Sequence, residues 1–287
     1  MPTSARRLPV AAKVLAAVSV LALVAIGAVV WWATATRTPL PMADRCAATV
    51  AGHTVSLNPD QAYYAALIAG VSVRRELVPR AASIALATAY QESGIRNLDY
   101  GHADSIGLFQ QRPSQGWGSI EEIMDPWYSA TAFYRALVKV KTWQDGDIND
   151  VAQAVQRSGH PEAYRKHVSN ARALASALTG QTPAVFSCSV RSPGSPDPDG
   201  MSDYLRKTYG KAVTVTATED GLRVEARDPR AAWSVAQVAV AGTARYGLEK
   251  VSLGRWTWTH SPWSPAAWHG PSPAVGPTVV SLVFPAA

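Results

Sequence analysis

The chain has 287 residues, 47% hydrophobic and 17% charged, enough for one or two ordinary domains with a substantial core. Its 27 Lys and Arg against 21 Asp and Glu give a formal charge of +6, but Arg6, Arg7 and Lys13 supply +3 of that before residue 37. The remainder is weakly basic and forms no basic stripe interleaved with aromatics, which speaks against nucleic-acid binding.

In chain order, residues 14–32 form an apolar run broken only by Ser19. As a helix, about 19 residues would span about 28 Å, close to the hydrocarbon thickness of a bilayer. The pattern predicts a transmembrane anchor at 14–32, with residues 1–13 in the cytoplasm because cations precede the run, and with the bulk of the chain outside. Trp31 and Trp32 fall where an interfacial aromatic belt would lie. The alternative is secretion after cleavage at Ala33-Thr34-Ala35, which has a signal-peptidase form. Residues 33–57 read as a linker. They contain Cys46, and the one other cysteine is Cys188. Export would pair the two in a disulfide closing a loop of roughly 140 residues, which is worth about 5 kcal/mol in the chain-entropy model. A cytosolic chain would leave them as two buried thiols.

Asn58-Pro59-Asp60-Gln61 reads as a capped helix start, followed by Tyr63, Ala66, Leu67 and Gly70. A second helix begins at Pro79, runs through an Ala-rich apolar stretch, and ends where Gly94 can take a left-handed C-cap. Glu92 lies in its last turn, where burial and the helix-end carbonyls would both raise a carboxyl pKa. An exposed helix-end Glu is the plain alternative. A loop follows, Asp104-Ser105-Ile106-Gly107-Leu108-Phe109-Gln110-Gln111-Arg112, in which apolar residues alternate with donors and acceptors. Further helices are predicted from Asp125-Pro126, around Val151 to Val155, and from Pro161 to Gly180. No strand-period segment interrupts 58–180, so this region is expected to be an all-α domain.

The Pro-rich stretch 181–200 is expected to be a second linker. Beyond it, a short helix at 201–209, strands at 213–216 and 222–225, a helix at 231–246, and strands at 251–253 and 279–282 predict a small α+β domain at 201–287. This domain carries Trp256, Trp258, Trp263 and Trp268 with His260 and His269 nearby. A Trp-rich loop packing on its own sheet is the bland reading, and sugar stacking or an envelope-protein partner is the functional one. Two His without a third ligand make no metal site, and no cofactor is implied.

Glu92-Ser93-Gly94 and Gly107-Leu108-Phe109-Gln110, in that order and spacing, resemble the lytic transglycosylases of the lysozyme-like superfamily over roughly residues 58–178. A third family element, Ala-Tyr-Asn-Ala-Gly with a later Tyr, is matched less closely by Ala154-Val155-Gln156-Arg157-Ser158-Gly159 and Tyr164. Val155 lacks what the family Tyr would contribute. The resemblance implies a membrane-anchored, extracytoplasmic enzyme that cleaves the N-acetylmuramic acid–N-acetylglucosamine bond of peptidoglycan. Glu92 would be its single catalytic acid, then base. Ser93, Ser105, Gly107, Leu108, Phe109, Gln110, Gln111, Trp117, Gln156 and Tyr164 would line or support the sugar cleft. Two alternatives accompany it: a lysozyme-type hydrolase in which Asp99 or Asp104 holds the water, and a catalytically silent cell-envelope binding or assembly protein. The overall fold expected is α+β: a transmembrane helix, an all-α lysozyme-like domain and a small C-terminal α+β domain.

Overall fold

The computed structural model describes residues 10–35, 43–157, 162–271 and 277–286. The chain divides into two units, one ending at Pro41 and one beginning at Met42. The first contains helix α1 (Val10–Ala35). Within α1, side chains are described at residues 19–29, 31 and 32, all exposed. Among the described residues no helix is long and apolar enough to cross a membrane. The expected transmembrane anchor, and the single-pass topology and membrane localisation that depended on it, are therefore not upheld.

The second unit is a mixed α+β structure built on two antiparallel sheets. A hairpin of β1 (Arg45–Val50) and β2 (His53–Leu57) opens it. It is turned by Ala51 and Gly52, both at positive φ. Helix α2 (Pro59–Arg74) follows, with a complete Asn58/Gln61 capping box and Pro59 in its first turn. Helix α3 (Pro79–Ser93) is buried along most of its length and ends at Gly94, φ 64°. Next come α4 (Ile120–Met124), α5 (Pro126–Leu137), α6 (Ile148–Gln156) and α7 (Val168–Leu178). The expected helix start at Pro161 lies outside the described residues. Strand β3 (Phe186–Ser189) then returns to pair with β1, completing the sheet order β2-β1-β3.

Cys46 stands directly opposite Cys188 in the β1–β3 ladder, and the two form a disulfide across 142 residues of sequence. The link thus fastens the start of the helical region to its end.

Helix α8 (Pro198–Tyr209) leads into β4 (Val213–Thr218), β5 (Gly221–Ala226), α9 (Pro229–Ala241), α10 (Thr243–Tyr246), β6 (Lys250–Leu253), β7 (Trp256–Thr259) and β8 (Val279–Val283). These strands form one sheet of order β4-β5-β8-β6-β7. Helix α9 is buried from Ala231 to Ala241 because it is covered on both sides. It packs on β5, β6 and β8, and also on α2, α7 and β3. One continuous core results, from Cys46 to Phe284.

The expected all-α domain is corrected by these contacts. The segments read as linkers, 33–57 and 181–200, contain β1, β2 and β3, which frame the helices. Their signal was weak for a physical reason. Every residue of β3 (Phe-Ser-Cys-Ser) is buried, so it shows no alternation, and β2 pairs on one edge only. The tryptophans act as rivets in this junction. Trp258 Nε1 donates to Ser187 Oγ at 2.8 Å, and Trp268 Nε1 donates to the Phe186 carbonyl at 2.8 Å. Trp256 and Trp268 stand edge-on to Trp233 of α9, while Trp263 is exposed.

Close approach of α2 to α8 depends on Gly70, where an added methyl would overlap Thr208 Cγ2 and press on the Tyr209 ring. Both neighbours are buried, so Gly70→Ala is expected to cost about 1–3 kcal/mol by overpacking. The loss would be read as a lower denaturant midpoint with unchanged slope.

Candidate functional site

The end of α3 is tied down from three directions. Gln61 Nε2 donates to the Gly94 carbonyl at 2.9 Å. Ser93 Oγ donates to the Leu108 carbonyl at 2.7 Å and accepts from the Arg96 amide at 3.1 Å. The loop it meets is folded back on itself by two bridges, Leu98 with Gly107 and Ile106 with Gln111. Gly107 supplies a positive φ of 79° at this fold, tight against Ile123. Leu108 and Phe109 are fully buried, and Phe109 stacks on Phe133 of α5 at 4.6 Å.

Glu92 is held at the floor of this junction. The hydroxyl of Tyr164, itself fully buried, donates to Glu92 Oε1 at 2.6 Å. The Gln156 side-chain amide donates to the same carboxyl and to the Phe109 carbonyl at 2.7 Å. Burial is the dominant influence and raises the Glu92 pKa above its ordinary value, while the Tyr164 and Gln156 hydrogen bonds pull it partway back.

Glu92 opens into a cleft of about 1180 Å³. Ser105, Gln110, Gln115, Trp117, Val155 and Gln156 line it, together with the cations Arg112, Lys139 and Arg157, and His102. Glu92 is the one carboxylate among these lining residues. Two of them, Gln110 (φ 46°) and Arg157 (φ 53°), hold left-handed backbone without being glycine. Strain of this kind costs about 1–3 kcal/mol per residue and gathers at functional sites.

The residues expected at a cleft thus separate into two groups. Ser105, Gln110, Trp117 and Gln156 reach the open face beside Glu92. Ser93, Gly107, Leu108, Phe109 and Tyr164 lie beneath it and position what is above. Gln111 belongs to neither group: it is buried against α5, where its Nε2 donates to the Ser129 carbonyl at 3.2 Å. Ser158 and Gly159 lie outside the described residues. Asp104 does not line the cleft. Its two oxygens accept from Arg112 Nε (2.6 Å) and the Ser114 amide (2.8 Å), and these keep its pKa below the usual carboxylate range. Asp99 is exposed and does not line the cleft. His102, Gln115 and Lys139 were not singled out in the sequence, while Arg112 and Arg157 stood within its motifs without a role of their own. Among the described residues no group of His, Cys, Asp or Glu is arranged to hold a metal.

No family model matches the chain, and no curated protein matches it. Neither comparison supports a lytic transglycosylase or lysozyme assignment, and among the described residues no helix is long and apolar enough to cross a membrane. The expected membrane-anchored, extracytoplasmic peptidoglycan-cleaving enzyme is therefore not upheld, nor are the alternatives built on the same setting. What stands independently is the geometry around Glu92.

Tyr164→Phe tests that geometry directly. It removes a hydrogen bond that favours the Glu92 carboxylate, so the Glu92 pKa should rise further, by the equivalent of a charge-assisted bond worth about 1.5–3 kcal/mol. The expected result is a titration of Glu92 displaced to higher pH, followed by NMR of a side-chain-labelled glutamate.

Proposed function

We propose that this protein is an enzyme of general-acid type that cleaves glycosidic bonds, with Glu92 as its acid. The observation that carries the reading is a single carboxyl, its pKa raised by burial, at the floor of a large polar cleft. The volume exceeds the about 300–1,000 Å³ typical of small-molecule pockets, which suits an extended polymer. Gln110, Gln156 and Ser105 offer amides and a hydroxyl to a polyhydroxylated substrate, and Trp117 offers an apolar face on which a sugar ring can stack.

In this reading Glu92 is protonated at rest and donates to the departing glycosidic oxygen. The C–O bond breaks, and the sugar left behind carries oxocarbenium-like charge. Glu92, now a carboxylate, accepts the proton of the hydroxyl or water that attacks that carbon, and the acid is restored. Glycosidases that use two carboxylates divide these tasks between them. Here one carboxyl serves in both directions, as a group with a raised pKa can. Tyr164 and Gln156 stabilise the carboxylate phase through their donated hydrogen bonds.

The test is incubation of the full-length protein with a panel of glycan polymers, N-acetylated ones included, and mass spectrometry of released fragments. Fragments from wild type and none from Glu92→Gln support the reading. No fragments from wild type on any polymer, or equal release by both proteins, would end it.

A further inference from the structure

The proposed chemistry leaves the charge of the cleft unused. Three cations line it, Arg112, Lys139 and Arg157, against the single carboxyl Glu92. Arg112 is neutralised by Asp104 at 2.6 Å. Lys139 and Arg157 are exposed, and among the described residues neither makes an ion pair. When Glu92 is protonated the cleft therefore presents two uncompensated positive charges to whatever enters.

Both stand just beyond helix ends, Lys139 after α5 and Arg157 as the residue that terminates α6. A cation is generally favourable at a helix C-terminus, but that explains neither the choice of Arg157 nor its placement. Its backbone is left-handed (φ 53°), a conformation that Gly or Asn would adopt with less strain. The chain keeps a guanidinium there, and the side chain lines the cleft one residue beyond Gln156, whose amide holds Glu92. A cleft also focuses its field, so like charges that line it act together on a polymer.

Resting on the glycosidic reading of Glu92, we propose that the cleft selects a polyanionic glycan, with Lys139 and Arg157 engaging carboxylates carried by the sugars next to the bond that is cut. The carboxylates also keep neutral chains from competing, since a neutral chain leaves the two cations without partners. Neutral glycans bind through Trp117 and the amides alone.

The experiment uses the full-length chain carrying Glu92→Gln, so that binding is measured without turnover. The probes are hyaluronan oligosaccharides, which carry one carboxylate per disaccharide, and the same oligosaccharides with carboxylates reduced to alcohols. Calorimetric affinities at low salt are expected to favour the carboxylated form by about tenfold or more, and the preference should shrink as salt shortens the screening length. Adding Lys139→Gln with Arg157→Asn should abolish the preference, while Lys139→Arg with Arg157→Lys should keep it. Equal affinity for both probes, no binding of either, or a preference that survives in the neutralised variant would overturn the inference. Glycan cleavage by wild type is scored separately from this binding: cleavage without charge preference removes the inference alone, and charge preference without cleavage removes the glycosidic reading alone.

Discussion

Glu92→Gln is expected to lower turnover on any cleaved glycan by roughly 10²–10⁴-fold, the usual contribution of a positioned general acid. The substitution keeps volume and hydrogen-bonding capacity, so Tyr164 can still donate to the side-chain oxygen, and folding should be preserved. Wild-type activity should fall as pH rises through the raised Glu92 pKa, because the acid must be protonated at the start of the cycle. The same pKa makes a prediction about stability with opposite consequences for the two proteins. Burial makes the folded protein hold the Glu92 proton more tightly than the unfolded chain does. The group's stabilisation is therefore complete below the unfolded value and is lost as pH rises through the folded one. Relative to wild type, Glu92→Gln should thus gain stability as pH climbs from about 4 towards neutrality. In acid the advantage should disappear. Thermal melts of both proteins across that range measure the effect. A constant difference at all pH values would mean that Glu92 titrates normally, and the general-acid role would lose its physical basis.

That pairing of activity and stability is what a functional carboxyl costs its protein. A buried acid that must ionise once per cycle spends part of that cycle in the charge state that burial disfavours, and local rules are broken where chemistry requires it. The sequence made some of this legible. Pro79, an Ala-rich run and Gly94 mark α3 and its left-handed end, and they place a carboxyl where ordinary preference would put Lys or Arg. The Asn58/Gln61 capping box and the α9 region were similarly readable, because capping and helical period are local properties. The two-sided burial of α9 was not, since it reflects a partner on each face.

Other features depend on contacts distant in sequence and carry little local signal. Strands β1 and β3 find each other across 142 residues, and β3 is too short and too buried to show a period. The tryptophans of the C-terminal segment read as a loop cluster, yet Trp258 and Trp268 hold the second sheet to β3. In the site, Gln111 looked like a cleft residue from its place beside Gln110. The bridge between Ile106 and Gln111 turns it inward, and Gln110, in left-handed backbone, is the one that lines the cleft. Nothing in the identities of Lys139 or Arg157 announces a cleft. They become meaningful once α5 and α6 bring their ends to the same opening as Glu92. Asp104 shows the converse: an acid close to the motif in sequence, but committed to Arg112 and Ser114 in space.

Removing the Cys46–Cys188 disulfide, by the paired change Cys46→Ala and Cys188→Ala, is expected to cost about 2–5 kcal/mol. The upper end follows from loop entropy: the bond closes 142 residues, and releasing them enlarges the unfolded ensemble. The folded state should lose less, because β1 and β3 remain paired on both sides of the cysteine positions, from Arg45 with Ser189 to Ala48 with Phe186. Beside that pairing, Gln237 Oε1 of α9 still accepts from the Val185 and Phe186 amides, each at 3.0 Å. The native ladder should therefore survive in the double variant, with a lower denaturant midpoint and a steeper dependence on denaturant, since a less constrained unfolded chain exposes more surface. Glu92 and its partners lie on α3, α6 and Tyr164, away from the cross-link, so the Glu92 titration should be unchanged under conditions where the variant is folded. Wild type treated with reductant after unfolding should reproduce the shift. If reduction leaves the midpoint where it was, the cross-link contributes nothing to stability, and the β1–β3 ladder and the tryptophan contacts alone hold the two ends of the helical region together.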